Sequence, residues 1–435
     1  MDPVRRGRSP GQASVMSDIM GEFRSFGWPS RLLMINQFGI NLGFYMLMPY
    51  LAGYLAGPLG LAAWAVGLVL GVRNFSQQGM FIVGGTLADR LGYKPLIVAG
   101  CLLRTGGFAL LVIAQSLPMV LVASAATGFA GALFNPAVRA YLAAEAGERR
   151  VEVFAVFNVF YQAGILAGPL VGLAFMAVDF RLTAAGAAAV FALLTIAQLF
   201  ALPRRAPAAA ETASSVFQDW RIVTSNRSFL LFALAMVGCY VLSFQVYLAL
   251  PLHAAVLSPG HASVMVAAIF VVSGVVAVAA QMRITRWLAA RWGSGRALAI
   301  GMMVIALSFM PLLVVPDAWF GGLVALAALL VTTAVLAVGS AAVFPFEMDT
   351  VVALAEGRLV GTHYGFYNTI VGMGILAGNL ATGYVLQIAR DHGATKLTWA
   401  ALVAIGLLSA AALHALARNG HLQPVADRQV VSTGQ

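Results

Sequence analysis

Gly164-Ile165-Leu166-Ala167-Gly168 returns residue for residue as Gly374-Ile375-Leu376-Ala377-Gly378, 210 positions further along the chain. At the same offset Asn158 returns as Asn368 and Phe134 as Phe344. Nearer the N-terminus, Leu87-Ala88-Asp89-Arg90-Leu91-Gly92 is echoed by Leu288-Ala289-Ala290-Arg291-Trp292-Gly293. One five-residue match is ordinary in a chain this rich in Ala and Gly, but collinear matches are not. The chain therefore reads as two halves of the same topology.

The residues around these matches say what each half is made of. Of 435 residues, 61% are hydrophobic and 10% charged, less than half the charged share of a soluble domain. The charges gather between apolar runs of roughly 20 residues or more, enough to cross a bilayer as helix. Twelve such runs lie at 32–56, 61–88, 95–114, 117–142, 151–178, 182–202, 228–252, 262–287, 296–315, 319–346, 360–389 and 396–417. The expected fold is an all-α integral membrane protein, with twelve transmembrane helices in two six-helix repeats.

The expected organisation is a tail over 1–30, bundles over 31–202 and 228–418, a linker over 203–227 and a second tail over 419–435. The linker carries Val216, Phe217, Trp220 and Val223 at helical spacing beside Asp219 and Arg221. That pattern suits either a short helix on the membrane surface or plain linker. The first apolar run is too long for a signal-peptide core and lacks a cleavage site, so it is expected to be retained. Cys101 and Cys239 fall inside apolar runs, which implies no disulfide framework.

A net charge of +10 invites a nucleic-acid reading, but the basic residues sit between apolar runs rather than along a face or tail. With the N-terminus inside, twenty of the 26 fall in cytoplasmic segments. Only Arg181, Arg390 and Lys396 fall outside, and Arg73, Arg104 and Arg139 lie within or at the ends of runs. This asymmetry predicts both termini in the cytoplasm. Arg use over Lys, with heavy Ala, suggests a bacterial chain and hence a bacterial cytoplasmic (inner) membrane. An intramembrane enzyme would need a constellation such as H-E-x-x-H or a nucleophile elbow, and neither occurs. No catalytic, metal or cofactor site is expected.

Three motifs carry a family resemblance. Two parallel six-helix repeats are the architecture of the major facilitator superfamily. Gly85-Thr86-Leu87-Ala88-Asp89-Arg90-Leu91-Gly92-Tyr93-Lys94, between spans two and three, resembles that family's loop signature G-x-L-a-D-r-x-G-r-k. Gly164, Gly168, Pro169 and Gly172 resemble the G-x-x-x-G-P-x-x-G motif of its drug:proton antiporters. The stretch Gly71-Val72-Arg73-Asn74-Phe75-Ser76-Gln77-Gln78-Gly79 through Gly107-Phe108 is similar to the MdtH-type multidrug exporters. The resemblance implies a secondary carrier that exports small molecules by rocking one half against the other, with protons as the coupling ion. It also implies a conformational latch at Gly85, Asp89, Arg90, Gly92 and Lys94. Asp89 would meet the positive end of span eleven near Gly361 or Thr362. Arg90 and Lys94 would pair with acids such as Glu145.

Residue by residue, the glycines of span five also have a plain packing explanation, since residues four apart make one flat helix face. Arg73 and Arg104 are charges well inside spans, which cost at least a few kcal/mol on insertion scales and so mark function or a structural pin. Counting from Asp89 and Lys94 puts Arg73 toward the outer half and Arg104 near mid-membrane. Gln37 and Asn41, Gln77, Asn158 and Gln162, Tyr240 and Gln245, and Asn368 complete the candidate cavity face. Asp89, Glu347 and Asp349 are the proton-coupling candidates, all expected at cytoplasmic ends rather than in mid-span. The arginine that the family motif places on span four is replaced by Ser124. An electropositive cavity favours anionic, zwitterionic or neutral substrates. The expected partners are that substrate, protons and the lipid bilayer, with no nucleic acid, and the expected state is a monomer. An importer of an anionic metabolite or a lipid flippase on the same fold stays open.

Overall fold

The computed structural model describes residues 20–146, 149–203, 216–292, 294–315, 322–355 and 359–422. All regular structure among them is helical, and the twelve spans are in place. Ten stretches are individually long and apolar enough to cross a membrane, and interrupted spans one and two complete the set. Large side chains such as Phe200, Leu193 and Leu408 are more than two-thirds exposed on the outside of the bundle. An apolar exterior of that kind belongs against lipid.

Four spans break where the sequence showed continuous apolar runs. Span one is Trp28–Tyr45 followed by Met48–Ala56, and span two is Ala63–Gln78 followed by Phe81–Leu91. Span seven is Arg227–Ser243, a 3₁₀ turn at Phe244–Val246, then Ala249–Leu257. Span nine is Ser294–Leu307 and Met310–Val314. Three of the four restarts have a proline in their first turn (Pro49, Pro251 and Pro311), where its missing N–H costs nothing. Hydropathy does not register such breaks, because both pieces are equally apolar. The other spans are unbroken helices, among them Tyr93–Ile113 (three), Leu117–Ala146 (four), Arg150–Met176 (five), Phe180–Ala201 (six) and Ala262–Arg291 (eight). Spans ten to twelve are Leu323–Leu354, Val360–Asp391 and Lys396–Arg418.

The internal repeat is visible in the packing. Gly164, Gly168 and Gly172 of span five lie against Phe38, Tyr45 and Met46 of span one, so close that an added Cβ would collide with backbone. Gly374 and Gly378 of span eleven lie against the side chains of Val237 and Val241 of span seven, again too close for an added Cβ. The repeated motif thus joins the fifth span of each half to the first. Two further seams join the halves to each other. Span two meets span eleven, with Gly67, Gly71 and Gly79 against Asn379, Leu376 and Gly372. Span five meets span eight, where Leu166 reaches Gly274.

Within the linker, Val216–Ser225 forms a helix. Trp220 packs edge-on against Phe366 of span eleven, with ring centroids 5.6 Å apart. Asn226 caps span seven by accepting from the Phe229 N–H and donates to the Leu354 carbonyl at the end of span ten.

Candidate functional site

A cavity of about 910 Å³ lies between the halves. The first half contributes Asn41 and Phe44 of span one, Arg73 and Gln77 of span two, and Arg104 of span three. The second contributes Tyr240 and Tyr247 of span seven and Tyr364 and Asn368 of span eleven. Gly361 and Thr362, at the start of span eleven, and Arg139, near the end of span four, border it on one face. That face is also where span one begins and span twelve ends, and it is called the basic face below. Toward the opposite face the cavity is shut. The Tyr247 hydroxyl donates to that of Tyr45 at 3.5 Å, and Phe270 packs against both rings. Tyr45 and Tyr247 stand at the breaks in spans one and seven, so the same local interruption in each half brings them together.

The two buried arginines share one aromatic ring. The guanidinium carbons of Arg73 and Arg104 lie 4.4 and 5.3 Å from the centroid of Phe44. Arg73, 5% exposed, donates to Asn74 Oδ1 and Gln77 Oε1, each at 2.6 Å. Arg104, 3% exposed, donates from Nε and an amino nitrogen to the Thr127 carbonyl and lies over Phe134 and Phe191 as well. Sharing Phe44 brings the two guanidinium groups together on one wall of the cavity. Arg104 also crosses to span four within one turn of Ser124, so the guanidinium absent from span four arrives there from span three.

Of the other expected cavity residues, Asn41, Gln77, Tyr240 and Asn368 border the cavity. Asn41 donates to the Tyr161 carbonyl at 2.9 Å and Asn368 to the Tyr364 carbonyl at 2.8 Å. Gln37, Asn158, Gln162 and Gln245 do not border it. Gln37 is buried in the helix interface, Asn158 is exposed and Gln245 donates to its own Val241 carbonyl. On span five it is Tyr161 that faces inward, and the next residue, Gln162, is turned away by the helical step. Phe44, Tyr161 and Arg139 were not singled out as site residues. The signal was there for Phe44, which sits one helical turn from Asn41.

The carboxylates are where the structure departs most from the sequence reading. Glu347 is not at the end of its span, because span ten continues as helix to Leu354. Its side chain is 3% exposed, and Oε1 accepts from Tyr240 of span seven at 2.5 Å and Tyr367 of span eleven at 2.8 Å. The apolar run ends near 346, but Met348, Val351 and Leu354 carry the helix onward. Asp349 is exposed and accepts from Ser294 Oγ at 2.8 Å, at the start of span nine.

In the loop signature, Gly92 has φ of +82°, a left-handed conformation that favours glycine, and it starts span three. Lys94 donates to the Leu199 carbonyl of span six at 2.8 Å rather than to an acid. Gly85, Asp89 and Arg90 lie on the helix Phe81–Leu91, but their side chains lie outside the described residues. Pro169 of the span-five motif accepts from the Tyr50 hydroxyl through its carbonyl. That motif therefore fixes span five to the stretch of span one that carries Asn41, Phe44 and Tyr45.

Comparison with known proteins gives the same answer as the geometry. An uncharacterised MFS-type transporter of Mycobacterium tuberculosis is 64% identical over 395 residues, 91% of this chain and 94% of that protein. The multidrug resistance protein MdtH of Salmonella newport is 29% identical over 382 residues, 88% of this chain and 92% of that protein. Among solved structures, the nucleoside transporter NupG matches with a TM-score of 0.75 at 14% identity, covering 89% of this chain and 99% of that one. The peptide transporter POT in complex with alafosfalin matches with a TM-score of 0.76 at 17% identity, covering 94% and 99%. Residues 33–379 match the sequence profile described as the Major Facilitator Superfamily. The chain is a multi-pass membrane transporter rather than an enzyme, and it belongs to the major facilitator superfamily.

Proposed function

We propose that this chain is a secondary active transporter that exports small organic molecules, drugs or metabolites, across a bacterial cytoplasmic membrane. The observation that carries this reading is the cavity. It takes residues from both halves, reaches one face and is shut toward the other. That geometry suits alternating access by rocking of the bundle 31–202 against the bundle 228–418. The basic residues collect on the open face, which supports assigning it, and both termini, to the cytoplasm. Export is supported by the similarity to a multidrug resistance protein and by the antiporter-like motif of span five.

Arg73, Arg104 and Arg139 line the cavity, and no described carboxylate does. This supports anionic, zwitterionic or neutral substrates with acceptor groups over purely cationic ones. Proton antiport is proposed to run through Glu347, since buried acids inside spans are the usual elements of proton relays. A monomer is proposed to be the working unit, because one chain already supplies both walls. A second reading, import of an anionic metabolite or flipping of a lipid, is favoured by the same arginines, which would bind an anion whichever way it travels.

Everted membrane vesicles with and without the protein separate these readings. Export predicts that an imposed pH gradient, acid inside, drives accumulation of carboxylate-bearing compounds only in vesicles that contain the protein. Accumulation by intact cells and none by everted vesicles would replace export with import.

A further inference from the structure

The cavity wall of the first half holds more positive charge than its neighbours neutralise. Each guanidinium offers five N–H donors and stays protonated at all physiological pH. Arg73 spends one on Asn74 and one on Gln77, and Arg104 spends two on a single backbone carbonyl. All of these acceptors are neutral. The Nε atom of Arg73 is buried and has no hydrogen-bond partner among the described residues. The rings of Phe44, Phe134 and Phe191 present only their weakly negative faces. The buried carboxylate of the second half, Glu347, has Oε1 occupied by two tyrosines. The ion pair Arg149–Glu152 lies far along the chain from either arginine. Two full charges held in a low-dielectric wall need a counter-charge, and no described residue lining the cavity supplies one.

We propose that a small inorganic anion, a halide or a compact oxyanion, binds at the Arg73–Arg104 wall of the cavity whenever no anionic substrate is present. The cavity is wide enough to admit it from the basic face, and Arg139 at the mouth adds attraction along the way. The proposal rests on the cavity and its charges, and takes from the functional reading only that substrate enters the same space. An anionic substrate must then displace the resident ion, while a neutral substrate shares the cavity with it.

The test is equilibrium binding of radioactive chloride and, separately, of radioactive inorganic phosphate to the purified full-length protein in nanodiscs of zwitterionic lipid, with each unlabelled anion as competitor. Saturable binding near one ion per protein is expected, displaced by one or both competitors. Arg73→Gln and Arg104→Gln, each checked for a monodisperse folded species, are expected to weaken binding about tenfold or more. Arg73→Lys keeps the charge and is expected to retain binding with a smaller loss. Absence of saturable binding of either anion to the folded wild-type protein overturns the proposal, as does binding unchanged in both glutamine variants. No transport is measured, so a failed export assay leaves this result standing, and a failed binding assay leaves export untouched.

Discussion

Tyr240 on span seven donates its hydroxyl to Oε1 of Glu347 on span ten at 2.5 Å. Tyr240 also borders the cavity, so a group in contact with substrate space is in direct contact with a buried acid. An acid that gains a proton gives up part of its capacity to accept, and the tyrosine is then free to turn toward the cavity. Glu347→Gln keeps the shape and removes the exchangeable proton. Transport driven by a pH gradient in proteoliposomes should fall about tenfold or more, the effect of about 1.4 kcal/mol in barrier. Substrate counterflow, which needs no net proton movement, should persist. Gradient-driven transport by Glu347→Gln at the wild-type rate would remove Glu347 from the mechanism.

Arg73 makes a second test. Arg73→Ala should weaken transport of carboxylate-bearing substrates more than Arg73→Lys does, since lysine keeps the charge but not the planar fork. Losing a contact to a charged partner is worth about 1.5–3 kcal/mol, so the apparent affinity should drop by tenfold or more for the alanine variant. Robust export of a quaternary ammonium dye, unchanged by Arg73→Ala and Arg104→Ala, would make both arginines structural pins.

Gly67 and Gly383 lie in the seam between spans two and eleven. A Cβ at either would strike backbone, the Asn379 carbonyl for Gly67 and the Ala63 carbonyl for Gly383. Gly67→Trp should therefore wedge spans two and eleven apart and favour the state open on the far side. A cysteine introduced at Asn41 should then react faster with a membrane-impermeant maleimide added outside. An unchanged labelling rate in a well-folded Gly67→Trp protein would refute a closing role for the seam.

Asp89→Asn addresses the proposed latch. The residue sits at the end of span two, so insertion and folding should survive the loss of its charge. A charge–dipole contact of about 1 kcal/mol is at stake, enough to shift the balance between the two facing states and slow transport several-fold. Wild-type rates from a well-expressed Asp89→Asn protein would count against the latch.

Topology can be checked without a substrate. Tags at the N-terminus, within 206–213 and at the C-terminus should all resist external labelling in intact cells. Labelling of any one of them would reverse the assignment of faces.

The repeat at Gly164 and Gly374 made the two-half architecture legible, because it recurs at equivalent places and forms equivalent contacts. Arg73 and Arg104 were legible for a thermodynamic reason: charge inside an apolar run is costly enough to need a purpose. Glu347 was misread because hydropathy marks where apolar composition stops, whereas the helix continues on Met348, Val351 and Leu354. Gln37, Asn158, Gln162 and Gln245 show the converse limit. A polar residue in a span announces that it needs a partner, but only packing decides whether that partner is a cavity or its own backbone, as Val241 is for Gln245. Arg139 reads with the charges near span ends, and its place at the cavity mouth depends on how span four packs against spans two and three.

The seam between spans two and eleven is built largely of main chain. Gly79 faces Gly372, Ala63 faces Gly383, and hydrogen bonds from Ala63 to Gln387 and from Thr369 to Gly79 stitch it across the halves. A contact between long side chains can yield by degrees as rotamers re-sort, but abutting backbones have no rotamers to exchange. Such a boundary behaves as a hard stop with a sharply defined resting position. Single-molecule distance measurements across it should therefore record two narrow populations with abrupt hops between them, and no continuum of half-parted forms.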